Sequence, residues 1–352
     1  MKVGCSSGGQ ERAEALQGTL QKSRIWQALE ALASLKLTLV ILVAIGAGIV
    51  VAYVSSTPTT WALAIPLAAF ALNLGSAIAT NPLFRRKTSL LIFHLALIAI
   101  ILLIAAGRLT YLKGQLELAE GEVFEGELTQ EESGPWHPRH LNTLHFSNEG
   151  FTISYAKGVR RGETRNQVGW TAPDGSIQHT VIGDQDPLVL SGYRFYTSHN
   201  KGFAPVFTWH PASGAQSVTG AVHLPAYPLH EHKQAIEWAL PNSNSPLWVM
   251  LQFDEVILDP AKPSEFRLPS RHQIVVRAGE ERHELKPGGR IRLAEGILEY
   301  NGLRSWMGYT VFYDFTLPWL LVACLLAVMS LAWHFWNKFS SRPWDKPVAE
   351  AD

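Results

Sequence analysis

The chain has 352 residues, 30 Lys and Arg against 30 Asp and Glu, and two cysteines. A mean hydropathy of +0.05 would suit a protein in water, and zero net charge gives none of the basic excess that marks nucleic-acid binders. Cys5 and Cys324 lie near opposite ends, so the middle of the chain can form no disulfide and perform no thiol exchange.

The average hides a segregated pattern. Residues 1–36 form a polar leader whose end, "RIWQALEALASLK" (24–36), puts Ile25, Trp26, Leu29, Leu32 and Ala33 at helical spacing. That stripe suits a helix in a membrane interface or a cytoplasmic extension of the first span. The first apolar run begins too late for a cleavable signal peptide, and Cys5 follows no hydrophobic stretch that would make it a lipoprotein cysteine. Leu37–Val54, Trp61–Ala79 and Ser89–Gly107 are charge-free and long enough to cross a bilayer as helices. They place three spans within 37–109, the first two joined by a tight hairpin around Thr57 and Pro58. Pro66, Asn73 and Gly75 in the second span require neighbouring helices to satisfy them.

Residues 110–312 read as a large all-β domain. Alternation of apolar and polar residues predicts strands in "GQLELAEGEVFEG" (114–126), "GFTISYAKG" (150–158), "PVFTWHP" (205–211), "PLWVMLQFDEVIL" (246–258), "HQIVVRAG" (272–279) and "GILEYNGLRSWMGYTVFYD" (296–314). "PGGRIRL" (287–293) reads as a turn entering a strand, and "HEHKQAIEWAL" (230–240) as a helix. A sandwich or curled sheet of eight or more strands is the expectation. Phe315–Phe335 supplies a fourth span, within 313–337, and 338–352 is a tail.

Basic residues fix the orientation. Lys22, Arg24 and Lys36 precede the first span, Arg85, Arg86 and Lys87 fill the loop between the second and third, and Lys338, Arg342 and Lys346 follow the fourth. With four crossings all three clusters share one side, with Arg108 and Lys113 as minor dissenters, so both termini are expected in the cytoplasm and 110–312 in the periplasm or an equivalent space. The expected class is an integral membrane protein, three spans plus one, with a β-rich extracytoplasmic domain.

Chemistry-bearing motifs are few. No phosphate loop, dinucleotide fingerprint, G-x-S-x-G, H-E-x-x-H or C-x-x-C-H occurs, so no catalytic residue is nominated. His137, His140 and His145, and His230 and His232, are close in sequence, but their loop-like setting favours solvated histidines and no metal site is assigned. The exception to a bland reading is His94, the one ionisable residue of Ser89–Gly107. Ionisable groups inside a span are costly, roughly 2.5–3.5 kcal/mol for Asp, Lys or Arg, and tend to face other helices, water or a ligand. Among aliphatic residues an imidazole meets the requirement for an axial ligand of haem b. A structural His bonded to a backbone carbonyl or to Asn73 is the alternative. His334 would reach a similar depth on the fourth span and could be a second ligand, although Trp333 and Trp336 beside it resemble an interfacial belt.

In order along the chain, "LASLKLTLVIL" (32–42), "FHLALIAIILLIAAG" (93–107), "KGQLELAEGEVF" (113–124), "LSGYRFYTSHNKG" (190–202) and "YNGLRSWMGYTVFYDFTLPWL" (300–320) resemble the ResB/CcsB family, membrane subunits of system II cytochrome c maturation. The resemblance spans about residues 24–338. It departs at "VAYVSSTPTT", where the family often has a G-T-x-I-P-Q-like stretch, and at "FYDFTLP", where a D-P-G-like turn is usual, which is compatible with a divergent paralogue. It implies a subunit of the bacterial inner membrane, paired with a CcsA-type membrane protein. Together such pairs carry haem across the bilayer and present it to apocytochrome c. The chain would then be at most part of a holocytochrome c synthase (haem lyase), with His94 as one axial ligand and the partner supplying the other. A non-catalytic scaffold of a respiratory complex, or a b-haem electron-transfer subunit using His94 and His334, are the alternatives.

Overall fold

A computed structural model of the chain describes residues 24–55, 59–172, 174–230, 233–241 and 246–340. The leader with Cys5 and Lys22, the hairpin turn at Thr57 and Pro58, His232, and Arg342 and Lys346 of the tail lie outside these residues. The chain divides into two units. One comprises Met1–Tyr111, Ser133–His137 and Asp314–Asp352, the other Leu112–Glu132 and Pro138–Tyr313.

The first unit is helical. Helix α1 covers 24–32, followed by α2 (Leu35–Val54), α3 (Thr60–Thr80), the short α4 (Pro82–Arg86), α5 (Thr88–Thr110) and α6 (Leu317–Phe339). Helices α2, α3, α5 and α6 are long and apolar enough to cross a membrane, at about 30–35 Å for 20 to 23 residues. They extend the expected spans by up to four residues at an end, except that α6 begins at Leu317, two residues after the expected Phe315. Helix α3 packs against α2 and α5, and α5 against α6. Val43, Leu72, Val328 and Met329 are among many aliphatic side chains left exposed, a surface seldom presented to water.

Local chemistry explains how these helices meet. Pro66 lies inside α3 and has no N–H for the carbonyl of Ala62, four residues back. Gly48 of α2 packs against that carbonyl so closely that a Cβ would collide with it. Asn73, buried in α3, donates Nδ2–H to the Leu32 carbonyl at 2.5 Å and accepts from the Thr38 hydroxyl at 2.9 Å. One polar side chain thereby ties α3 to the end of α1 and the start of α2. Asn81 caps α4 by accepting from the Leu83 N–H at 3.0 Å, with Pro82 at the first helical position. At the far end of α5 the Tyr111 and Leu109 carbonyls accept from the N–H groups of Gly134 and Trp136 at 2.9 and 2.8 Å. Orphan carbonyls of the helix terminus are thus satisfied.

The second unit is built from antiparallel strands in three sheets. The largest runs β2 (Gln130–Ser133), β1 (Leu112–Ala119), β15 (Gly296–Tyr313), β7 (Tyr193–Pro211), β6 (Leu188–Leu190), with β14 (Arg290–Leu293) also on β15 and β8 (Val218–Ala221) on β7. The second orders β13 (Glu281–Leu285), β12 (Gln273–Ala278), β10 (Pro246–Gln252) and β9 (Ala235–Ala239). The third orders β11 (Ser264–Glu265), β3 (Phe146–Ala156), β4 (Arg160–Thr171) and β5 (Ile177–Ile182). This is three sheets rather than a simple sandwich. β1 shows why it forms: Leu112, Gly114, Leu116 and Leu118 alternate inward. They join a core in which the rings of Phe124, Phe146 and Phe195 pack tilted or edge-on at 4.9–5.6 Å and Phe146 meets Tyr309 edge-on at 5.6 Å. Burying such a ring contributes roughly 1.5–3 kcal/mol.

Three sequence expectations are corrected. The described residues of 230–240 are not helical: Ala235–Ala239 is an edge strand, because Ala235 to Ala239 pair in register with Met250 to Pro246, and that pairing outweighs local propensity. Residues 120–126 are not strand, since the chain turns through Gly121 at φ 81° after Ala119. Strand β10 stops at Gln252, short of the expected 258.

Candidate functional site

Phe84 of α4 and Phe93 lie edge-on to the His94 ring at 4.6 and 5.1 Å. The ring is half-buried. Its Nδ1 lies 2.8 Å from the carbonyl oxygen of Leu90, one turn earlier on α5. A carbonyl only accepts, so Nδ1 carries a hydrogen, and in the neutral ring Nε2 is then the nitrogen with the lone pair. Nε2 has no hydrogen-bond partner among the described residues. Metal-ligating histidines are commonly fixed in this way, one ring nitrogen anchored by a hydrogen bond and the other presented. A purely structural histidine would use the same bond. Asn73 takes no part, being committed to Leu32 and Thr38.

His334 sits on α6, and its Nδ1 lies 3.3 Å from the Ser89 hydroxyl. Ser89 precedes His94 by five residues, about 7.5 Å along a helix axis. The two histidines are therefore on packed helices, but the described contacts do not bring them together. Farther along the same pair of helices, Ala99, Leu102, Leu103, Ala106, Trp319 and Ala323 contribute to an open groove of about 450 Å³ with an almost wholly apolar lining.

The remaining histidines are dispersed. His137 is buried rather than solvated, with Nδ1 2.8 Å from the Thr110 carbonyl. His145 Nδ1 lies 3.2 Å from the Phe124 carbonyl, and His140 stands edge-on to Tyr193. Among the described residues no three His, Cys, Asp or Glu side chains gather as a metal site.

The β unit holds a group that sequence reasoning missed. His223 lies 3.2 Å from Glu117 of β1 and 3.6 Å from Glu122, and stacks on the Trp306 ring at 5.6 Å. Burial opposes the charged imidazole, but hydrogen bonds to Glu117 and Glu122 outweigh it and push His223 up to about 9. For Glu122, burial raises the carboxyl, yet His223 and the Ala119 N–H more than reverse this and hold it below its usual value. The two glutamates also line a cavity of about 600 Å³ with Glu125 and Glu127. The glutamates were visible in "GQLELAEGE", but His223 is 106 residues from Glu117, and no local pattern connects them.

No protein of curated function matches the chain. Among solved structures the chain is similar to "Cytochrome c Heme Lyase CcmF", at 13% identity and a TM-score of 0.28, over 86% of this chain and 35% of that one. The chain thus spans about a third of that structure's length. A family model described as "ResB-like family" matches residues 83–342, about three quarters of the sequence. The match begins one residue before Phe84, covers His94 and the β unit, and continues past α6. By this match the chain belongs to the ResB-like family.

Proposed function

We propose that this protein is a membrane subunit of a cytochrome c synthase, which helps carry haem across the bilayer and presents it to apocytochrome c. Membership in the ResB-like family points to cytochrome c biogenesis. The observation that carries the finer reading is the Leu90–His94 hydrogen bond, which leaves Nε2 as a free axial donor between phenyl rings in an apolar helical unit. Haem is here a cargo. Its second ligand is assigned to a CcsA-type partner, because no described contact brings His334, held at Ser89 of α5, together with His94. The apolar groove along α5 and α6, with Ala99, Ala106 and Ala323 among its lining, suits close approach of a further helix. In this reading four helices span the bacterial inner membrane, both termini face the cytoplasm and the β unit faces the periplasm. The b-haem electron-transfer alternative needs both histidines on one iron and draws no support from the Ser89 contact.

The test is the pyridine haemochrome spectrum of detergent-purified protein, wild type beside His94→Ala and His334→Ala, each alone and co-expressed with a CcsA-type partner. Haem that copurifies with the pair and is lost in His94→Ala only is the expected result. Haem held by the lone chain and lost in both variants would make it an electron-transfer subunit. No haem in an intact pair would leave His94 structural and the chain a scaffold.

A further inference from the structure

The segment "SGPWH" (133–137) follows β2 and packs on the end of α5. Three successive carbonyls at that helix end accept from it: Leu109 from the Trp136 N–H at 2.8 Å, Thr110 from Nδ1 of His137 at 2.8 Å, and Tyr111 from the Gly134 N–H at 2.9 Å. Gly134 sits so close to the Leu109 carbonyl that a Cβ would collide with it, and His137 is buried. The backbone is thus pinned on both sides, yet Pro135 and Trp136 between these residues are exposed, Trp136 to 63%. Its indole meets that of Trp61, at the start of α3, edge-on with ring centres 6.0 Å apart, and Trp61 is itself 50% exposed. Neither indole N–H has an acceptor among the described residues.

The pair ends a longer apolar stripe. Trp61, Ile65 and Leu72 fall on one face of α3, and all three are exposed. The helix that carries them is long and apolar enough to cross a membrane. The start of α6 lies at the same end of the unit, since a Cβ on Gly107 of α5 would stand 3.0 Å from the Thr316 hydroxyl oxygen. There Trp319 is also exposed, and exposed Trp333 and Trp336 follow towards the other end of α6. Their separations from Trp319 are about 21 and 26 Å along the helix, close to the ~30 Å thickness of a hydrocarbon layer. An indole joins an apolar ring to one N–H donor, a combination that settles where acyl chains meet headgroups.

We propose that Pro135 and Trp136, with Trp61, form a membrane anchor seated in the headgroup layer of the leaflet that surrounds the end of α5. Lipid ester and phosphate oxygens accept from the two indole N–H groups, and the rings lie against the first acyl carbons. The occupant is lipid rather than a further helix, because close helix contacts favour small residues and this stripe consists of Trp, Ile and Leu. The anchor sets the depth at which α5 ends, and the three carbonyl bonds keep the loop rigid enough to do so. It rests on the reading that the long helices cross a bilayer and is independent of the haem reading.

The experiment is fluorine NMR of the full chain, labelled with fluorotryptophan, in nanodiscs of phosphatidylcholine and phosphatidylglycerol. Lines are assigned with Trp136→Phe, Trp319→Phe and Trp306→Phe, and broadened by a lipid carrying a nitroxide near its headgroup. Trp319 reports whether the helices lie in the bilayer, and Trp306, buried in the β unit, is the reference. The expected result is broadening of the Trp136 line equal to that of Trp319 and at least threefold that of Trp306, unchanged when a CcsA-type partner is co-expressed. If Trp136→Phe does not fold, bimane on Pro135→Cys in a Cys5→Ser, Cys324→Ser chain reads the same surface, with quenching by the nitroxide lipid expected and quenching by aqueous iodide alone contradicting the anchor. A silent Trp136 line beside a broadened Trp319 line would overturn the anchor alone, and silence of both would overturn it together with the bilayer reading. Broadening lost on pairing would overturn it by making this surface a protein interface.

Discussion

Tyr309 donates its hydroxyl hydrogen to Oδ1 of Asn166 at 2.8 Å, in a part of the β unit where both residues are essentially inaccessible. The amide of Asn166 donates onward to Oδ1 of Asn148 at 2.8 Å, and Asn148 to the Leu118 carbonyl at 3.0 Å. This chain of bonds runs β15 to β4 to β3 to β1 and joins two sheets through the core. Tyr309→Phe removes one link and leaves Asn166 short of a partner, a cost of about 1–3 kcal/mol. The expected result is a lower midpoint in denaturant with an unchanged slope. A midpoint equal to wild type would show that the network is not under tension at this link.

In the helical unit, Gly48→Ala should cost about 1–3 kcal/mol, because its Cβ would meet the Ala62 carbonyl that Pro66 leaves without an N–H. Gly46, two residues earlier, has open space for a Cβ, so Gly46→Ala is the matched control and should be neutral or stabilising. The measurement is the midpoint of thermal unfolding in detergent; equal effects at the two glycines would contradict the packing described.

His223 sets a pH dependence. Its folded-state value near 9 lies above the ordinary 6.5, so its contribution is complete below about pH 6.5 and is lost as pH rises through 9. Glu122, held low, contributes above its ordinary value and loses that contribution as pH falls. The ion cluster is therefore intact at neutral pH. Glu122 is almost half exposed, and solvent screening reduces the cluster to ~1–2 kcal/mol. Lys201 acts in the opposite sense, since its depressed value adds stability as pH rises from about 8. The difference between wild type and His223→Leu isolates the cluster: it should be largest near pH 6–7 and shrink by pH 10. A difference constant across that range would rule the ion cluster out.

If Nε2 of His94 ligates haem, His94→Gly opens a space that free imidazole can occupy. Added imidazole should restore most of the haem to the variant copurified with its partner, as read by the Soret band. Restoration by imidazole in His334→Gly instead would transfer the ligand role to α6.

How much of this was legible in the sequence depends on how local the cause is. The four long helices were visible because an uncharged apolar run needs no partner to be recognised. β1, from Gly114 on, and β15 were visible because Gly114–Leu118 and the aromatic stretch before α6 alternate. β4 was not, since its buried positions include Thr164, Asn166 and Gly169, a polar inward face that hydropathy reads as loop. The orientation of His94 rests on a bond to Leu90, four residues away, and lay within reach of helix geometry. The His223 cluster depends on sheet register, which no single segment encodes.

The order in which the strands are made carries one more consequence. β15, the strand that joins β1 to β7 by the registers Leu112↔Tyr313 and Gly296↔Pro211, is the last strand of the domain to leave the ribosome. Until residues 296–313 emerge, β1 and β7 have open edges of the kind that invite wrong pairing, and most of the sheet's contacts span long sequence separations that slow closure. A nascent chain arrested before Gly296 would therefore be prone to aggregation or proteolysis, whereas one arrested after Tyr313 would already have every strand it needs.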